Sequence, residues 1–174
     1  GETKSCTITN DDKAPSLTLV KEVVTDNGGS AVAVDWTLFA TGPTSISGAG
    51  GAVSDASFDQ GVYALSESVG PTGYTAGNWS CVGGTQNGSS ITLTLGQSAT
   101  CTIVNDDVQP KLTVIKHVVN DHGGNADASD FTMTVNGSNP NPDSFPGDEA
   151  GTLVAINAGA YSVTETGLSG YAGS

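Results

Sequence analysis

Chemistry in this chain has few carriers. There are five lysines, no arginine, three cysteines and two histidines among 174 residues. Lys21 follows Leu17 and Leu19 at alternate positions, so in a strand it points to the same side as two leucines, with Thr18, Val20 and Glu22 on the other. An amine on an apolar face is a candidate nucleophile, because apolar surroundings favour its neutral form. The alternative is a solvated lysine on an edge strand, paired with a surface carboxylate. Lys116 occupies the same place in Leu112–Val119. Cys81 and Cys101 are 20 residues apart, each in a predicted strand (Asn78-Trp-Ser-Cys81 and Ala99-Thr-Cys101). That spacing predicts a disulfide between neighbouring strands, two free buried thiols being the alternative. Other sets are weaker. Asn10-Asp11-Asp12, Asn105-Asp106-Asp107, Asp26-Asn27 and Asn120-Asp121 are oxygen donors at predicted joints. They could hold Ca²⁺, but their spacing fits no calcium loop and such residues commonly form turns. His117 and His122 read as exposed strand and turn residues. Asn78, Asn87 and Asn136 begin glycosylation sequons, read here as coincidental. No nucleophile–histidine–acid set, phosphate loop or metal cluster stands out, which argues against an enzyme acting on other molecules and against a cofactor.

These residues recur because the chain repeats. Cys6–Leu38 and Cys101–Met133 align at an offset of 95, with 19 of 33 positions identical. Cys6, Asn10, Pro15, Lys21 and Asp35 return as Cys101, Asn105, Pro110, Lys116 and Asp130. Such a long period signals tandem domains. Residues 1–12 match 96–107, the last strand of the complete repeat, and read as the last strand of a preceding or neighbouring repeat. Residues 13–108 read as one complete domain, with Pro15 in the joint. Residues 109–174 read as a second domain lacking its final strands, whose edge would then be open to pairing.

Within the complete repeat, strands are predicted at Leu17–Val23, Val34–Ala40, Val62–Ser68, Trp79–Val82, Ile91–Leu95 and Ala99–Asn105. Residues 41–57 read as a Gly/Ser/Pro-rich loop with one short strand, and 83–90 as a polar turn. The second repeat predicts strands at Leu112–Val119, Phe131–Val135, Thr152–Ile156 and Tyr161–Glu165, around a loop at 138–150. Nothing has helical periodicity. Short strands separated by Gly/Asn turns about every 8–12 residues imply an all-β fold of tandem Ig-like antiparallel sandwiches.

Composition restricts the partners. The net charge is −13, from 18 acidic residues against five lysines. That argues against nucleic acid and anionic membrane surfaces. No run of about 18 apolar residues is present to cross a membrane. Low charge density, abundant Gly, Ser and Thr, and paired cysteines are the look of a secreted protein. The first residues form no signal peptide, so the chain reads as a mature product or a piece of a longer one.

Three segments resemble a known family. Leu17-Thr-Leu-Val-Lys21, Tyr63-Ala-Leu-Ser-Glu67 with Pro71-Thr-Gly-Tyr74, and Thr102-Ile-Val-Asn105 are similar to the B-type repeats of Gram-positive collagen adhesins and related pilin domains (CnaB-like, with a prealbumin-like fold). The resemblance implies an intramolecular isopeptide bond, with Lys21 as amine, Asn105 as acceptor amide and Glu67 as the proton-handling catalyst. It implies Lys116 and Glu165 for the second repeat, although there Ser169 replaces the proline and Gly170-Tyr171 lies one residue closer to the glutamate. The matching asparagine is then Asn10, at the other end of the chain. Either Asn10 belonged to a preceding domain of a longer protein, or residues 3–11 of one copy complete the second domain of another and seal it through Lys116. The function so implied is a structural repeat of an extracellular stalk, pilus or filament on the bacterial cell surface, with further copies or adjacent repeats as head-to-tail partners. The alternative is an adhesin module whose loops at 41–57 and 136–150 bind a host protein or glycan.

Overall fold

The computed structural model describes residues 1–173. Contacts divide it into two units: Gly1–Val24 with Ala31–Asp106, and Thr25–Ser30 with the chain from Asp107 onward. Both are built from strands, as the period-2 alternation requires.

The first unit is a sandwich of ten strands: β1 (Ser16–Val24), β2 (Thr37–Thr41), β3 (Ile46–Ala49), β4 (Gly51–Val53), β5 (Gly61–Glu67), β6 (Tyr74–Ala76), β7 (Ser80–Val82), β8 (Thr85–Asn87), β9 (Ser90–Leu93) and β10 (Ser98–Asp107). One sheet runs β4-β1-β10-β6, with β7 also paired to β10; the other runs β3-β2-β5-β9-β8. The first and last strands are neighbours and run parallel, from Ser16 opposite Ser98 to Val24 opposite Asp106. The remaining registers fixed for this unit are antiparallel. Burial follows the alternation: Leu17, Leu19 and Lys21 on β1 face inward with Ala99, Cys101, Ile103 and Asn105 on β10. They meet Leu38, Tyr63, Leu65, Ile91 and Leu93 of the other sheet. Phe58 stacks on Tyr63 at 4.4 Å between ring centroids.

The second unit contains β11 (Lys111–Val114), β12 (Thr132–Asn136), β13 (Ser144–Pro146), β14 (Thr152–Ala155) and β15 (Ser162–Thr166). Its sheets are β11-β14 and β13-β12-β15. Val114, Met133, Val135, Phe145, Val154 and Ile156 form its core.

Several expectations change. The predicted strand Val34–Ala40 begins only at Thr37; Ala33–Asp35 is a 3-10 turn, closed by the Asp35 carboxylate accepting the Val32 N–H at 2.8 Å. The loop at 41–57 contains two strands, β3 and β4, while 83–90 contains β8 and 138–150 contains β13. Backbone ladders can form without an apolar pattern to announce them. The predicted strand Leu112–Val119 ends at Val114. Residues 1–15 form no strand in this single chain.

Candidate functional site

Lys21 lies on the core face of β1 because Leu17 and Leu19 set that face's direction. Its side chain is fully buried, and its Nζ donates to Glu67 Oε2 at 2.7 Å. Glu67 ends β5 in the opposite sheet, opposite Leu38. Its second oxygen, Oε1, accepts from Asn105 Nδ2 at 3.0 Å. Asn105 is on β10, opposite Val23, and is 2% exposed. The parallel register thus places Lys21 and Asn105 on one sheet, and Glu67 reaches across the core to hold both. The Trp36 ring walls the chamber, its centroid 4.8 Å from Lys21 Nζ. Tyr74 packs edge-on against Trp36 and its hydroxyl accepts the Ala31 N–H at 2.9 Å.

One atom there is unsatisfied: Asn105 Oδ1 is buried without a hydrogen-bond partner. A buried carbonyl oxygen without a donor costs about 1–3 kcal/mol. Turning the carboxamide over would bring Oδ1 against Glu67, and a proton on that carboxyl would satisfy it.

The second unit has the same lysine–glutamate arrangement, with no asparagine beside it among the described residues. Lys116 Nζ is 2.8 Å from Glu165 Oε2, with side chains 14% and 24% exposed. Phe131 replaces Trp36, 4.2 Å from Lys116 Nζ, and Tyr171 packs edge-on against it. Tyr171 accepts the Ala126 N–H at 3.0 Å, as Tyr74 accepts that of Ala31. The residue lost between Glu165 and Tyr171 is therefore absorbed in the 167–170 turn, and the tyrosine still reaches its place. The aromatic walls were not singled out from sequence; an aromatic at both 36 and 131 was the available signal.

Cys81 stands directly opposite Cys101 and the two form a disulfide. Cys6 is free and exposed. Asn10, Asp11 and Asp12 are exposed on the strandless N-terminal segment. Asp106 is exposed, whereas Asp107 is buried and accepts the N–H groups of Asn27 and Gly29 at 3.0 and 2.6 Å. Burial pushes the Asp107 carboxyl up, but those N–H groups outweigh it and hold it below the ordinary carboxylate value. His117 is exposed and contacts Glu149 at 2.7 Å. The His117 hydrogen bond, helped by the Val118 N–H, lowers the Glu149 carboxyl. His122 is exposed beside Asp121.

Successive β-sandwiches, each with a lysine on or just beyond its first strand held against a glutamate of the facing sheet, define a tandem repeat protein of the bacterial pilin and adhesin type. The chain belongs to the prealbumin-like fold domain family, whose model matches it twice, over residues 12–103 and 107–174. That membership makes it a pilin-like structural repeat of the cell surface, of a kind generally without enzymatic activity. Among the described residues no helix is long and apolar enough to cross a membrane. No curated protein and no solved structure matches the chain.

Proposed function

We propose that the chain is a load-bearing repeat of a surface stalk or fibre, and that an isopeptide bond between Lys21 and Asn105 closes its first unit. The observation that carries this reading is the Glu67 carboxylate, held between the Lys21 amine and the Asn105 amide at 2.7 and 3.0 Å. A proton passing from the Lys21 ammonium to Glu67 leaves a neutral amine and a carboxylic acid together. The amine attacks Cγ of Asn105, the acid protonates the departing nitrogen, ammonia leaves, and the carboxylate so regenerated takes the surplus proton from Nζ. The C–N bond of the carboxamide is exchanged for one to Nζ, once per chain. Holding the groups on adjacent strands makes the attack unimolecular, an advantage that can reach about 7–11 kcal/mol.

The parallel neighbours β1 and β10 give the bond its mechanical use. Tension entering before Ser16 and leaving after Asp107 would shear their shared ladder. A covalent link from Lys21 to Asn105 would carry that tension directly, leaving the chain between them unloaded. The competing adhesin reading finds less support: Phe145, the one aromatic on the two loops considered for ligand contact, is buried in the core.

The test is the intact mass of the denatured, reduced protein beside Lys21→Ala and Glu67→Ala. The parent should be lighter than its sequence by one ammonia for this bond, and both variants should not be. A parent monomer at full sequence mass would overturn the reading.

A further inference from the structure

Trp36 is tied to Lys21 through the backbone. Gly50 joins them: its N–H donates to Trp36 O at 2.8 Å, and its carbonyl accepts the Lys21 N–H at 3.2 Å. The loop that leaves Glu67 is tied beside the same ring. The Ser68 N–H donates to Thr37 O and the Thr37 N–H to Ser68 Oγ, each at 2.9 Å. These bonds leave one freedom, the rotation of the indole about its side-chain torsions. That rotation decides whether the ring lies over the Lys21 amine.

Gly70, two residues further along this loop, meets the indole. A Cβ at position 70 would overlap Nε1 and Cε2 of Trp36 and lie 2.6 Å from its Cδ1. The backbone does not demand glycine there, since Gly70 has no positive φ. What the glycine supplies is room for the ring. The second unit gives the comparison with a smaller ring. Gly167 stands four residues before Tyr171, as Gly70 stands four before Tyr74. A Cβ there would come within 4 Å of no atom of Phe131. The close approach therefore goes with the indole and not with the loop.

We propose that Gly70 is a positioning residue of the cross-linking reaction: it seats the Trp36 indole over the Lys21 amine and so sets the rate at which that amine meets Asn105. This inference rests on the bond proposed above for Lys21 and Asn105. An aromatic face within about 6 Å attracts an ammonium. The seated ring, with its centroid 4.8 Å from Nζ, holds the end of the lysine while Glu67 Oε2 holds it at 2.7 Å. Tyr74 packs edge-on against the ring, with 5.4 Å between centroids. A side chain at position 70 would turn the indole out of this seat and let Nζ drift from the Asn105 carboxamide. Misplacing a reacting atom by about 1 Å can cost about 100-fold in rate.

The experiment follows intact mass after refolding of the full chain, well below its melting temperature. The proteins compared are the parent, Gly70→Ala, Trp36→Phe and Gly70→Ala/Trp36→Phe. Gly70→Ala should lose ammonia about 100-fold more slowly than the parent, and the double variant should return to the rate of Trp36→Phe. A merely structural glycine would move the melting temperature and not the rate in the folded protein. Gly70→Ala reacting at the parent rate would therefore overturn the proposal, as would a double variant no faster than Gly70→Ala. Should Gly70→Ala not fold, recovery of folding and ammonia loss together in the double variant upholds the proposal, and a double variant that stays unfolded or unreacted overturns it. A parent that keeps its full sequence mass overturns the Lys21–Asn105 bond, and with it any effect on rate. The seating is then read by itself from the Lys21 ε-methylene resonances, which the ring current of a seated indole shifts upfield. Gly70→Ala should move them back; resonances that stay in place would overturn the seating too.

Discussion

Glu67 and Glu165 stand at the same rung of their two units: Glu67 is opposite Leu38 and Glu165 opposite Met133, and those residues are equivalent in the repeat. Each glutamate meets the equivalent lysine of its own unit, Lys21 on β1 and Lys116 just beyond β11, at 2.7 and 2.8 Å. The lysine–glutamate pair therefore forms even where no asparagine stands beside it among the described residues.

Removing Glu67 should cost more than losing the cross-link. Glu67→Ala leaves the Lys21 ammonium in a chamber where its side chain is fully buried. An uncompensated buried charge destabilises by about 3–5 kcal/mol. The double variant Lys21→Met/Glu67→Gln also lacks the bond, but keeps the volume and a partner for Asn105. It should be the more stable of the two in urea titrations; equal midpoints would show that the ion pair has little weight.

Trp36 should be replaceable by phenylalanine and not by alanine. Phe131 fills the same place over Lys116. Trp36→Phe should retain ammonia loss and near-parent melting. Trp36→Ala, at a site 2% exposed, should cost about 3–5 kcal/mol and slow bond formation by admitting water. Intact mass followed after refolding, alongside thermal melts, reads both effects.

The disulfide should be worth about 3 kcal/mol, since it closes a separation of 20 residues. Cys81→Ala/Cys101→Ala should lower the melting temperature by a corresponding amount, and reductant should lower that of the parent but not of the double variant. An unchanged melt on full reduction would contradict this.

Asp107 predicts an acid-sensitive turn. Its carboxyl is held below the ordinary value of 3.8, so the turn's stabilisation is complete above that value. It is lost as pH falls through the lower folded value. The amide resonances of Asn27 and Gly29 should shift together on acidification, and Asp107→Asn should remove that titration.

Much of this was legible in the residues. The alternation of Leu17, Leu19 and Lys21 fixed the direction of the lysine, and Cys81 and Cys101 announced a strand pair. The parallel direction of β1 against β10 was not legible, because it follows from how two sheets close around a core rather than from any local pattern. Nor were β6, β8, β13 and the second of the two strands in 41–57, each only 3 residues long and too short to show an alternation. Residues 6–12 give the physical reason. Almost the same seven residues form a strand at 101–107 and none at the N-terminus. What differs is a neighbour on which to build a ladder. The glutamate and asparagine of the site could be placed only by resemblance, since they lie far from Lys21 along the chain.

The cystine between β7 and β10 has a consequence for self-recognition. A molecule carrying two near-identical copies of one strand risks having the loose copy invade the place of the fixed one. Cys101 is bonded to Cys81 on one side of β10, while β1 is paired along its other side from Ser16 to Val24. The resident strand cannot leave unless the sulfur–sulfur bond opens, so the intruder finds that berth closed. Oxidation, which belongs to the space outside the cytosol, thus makes the first unit deaf to its own sequence.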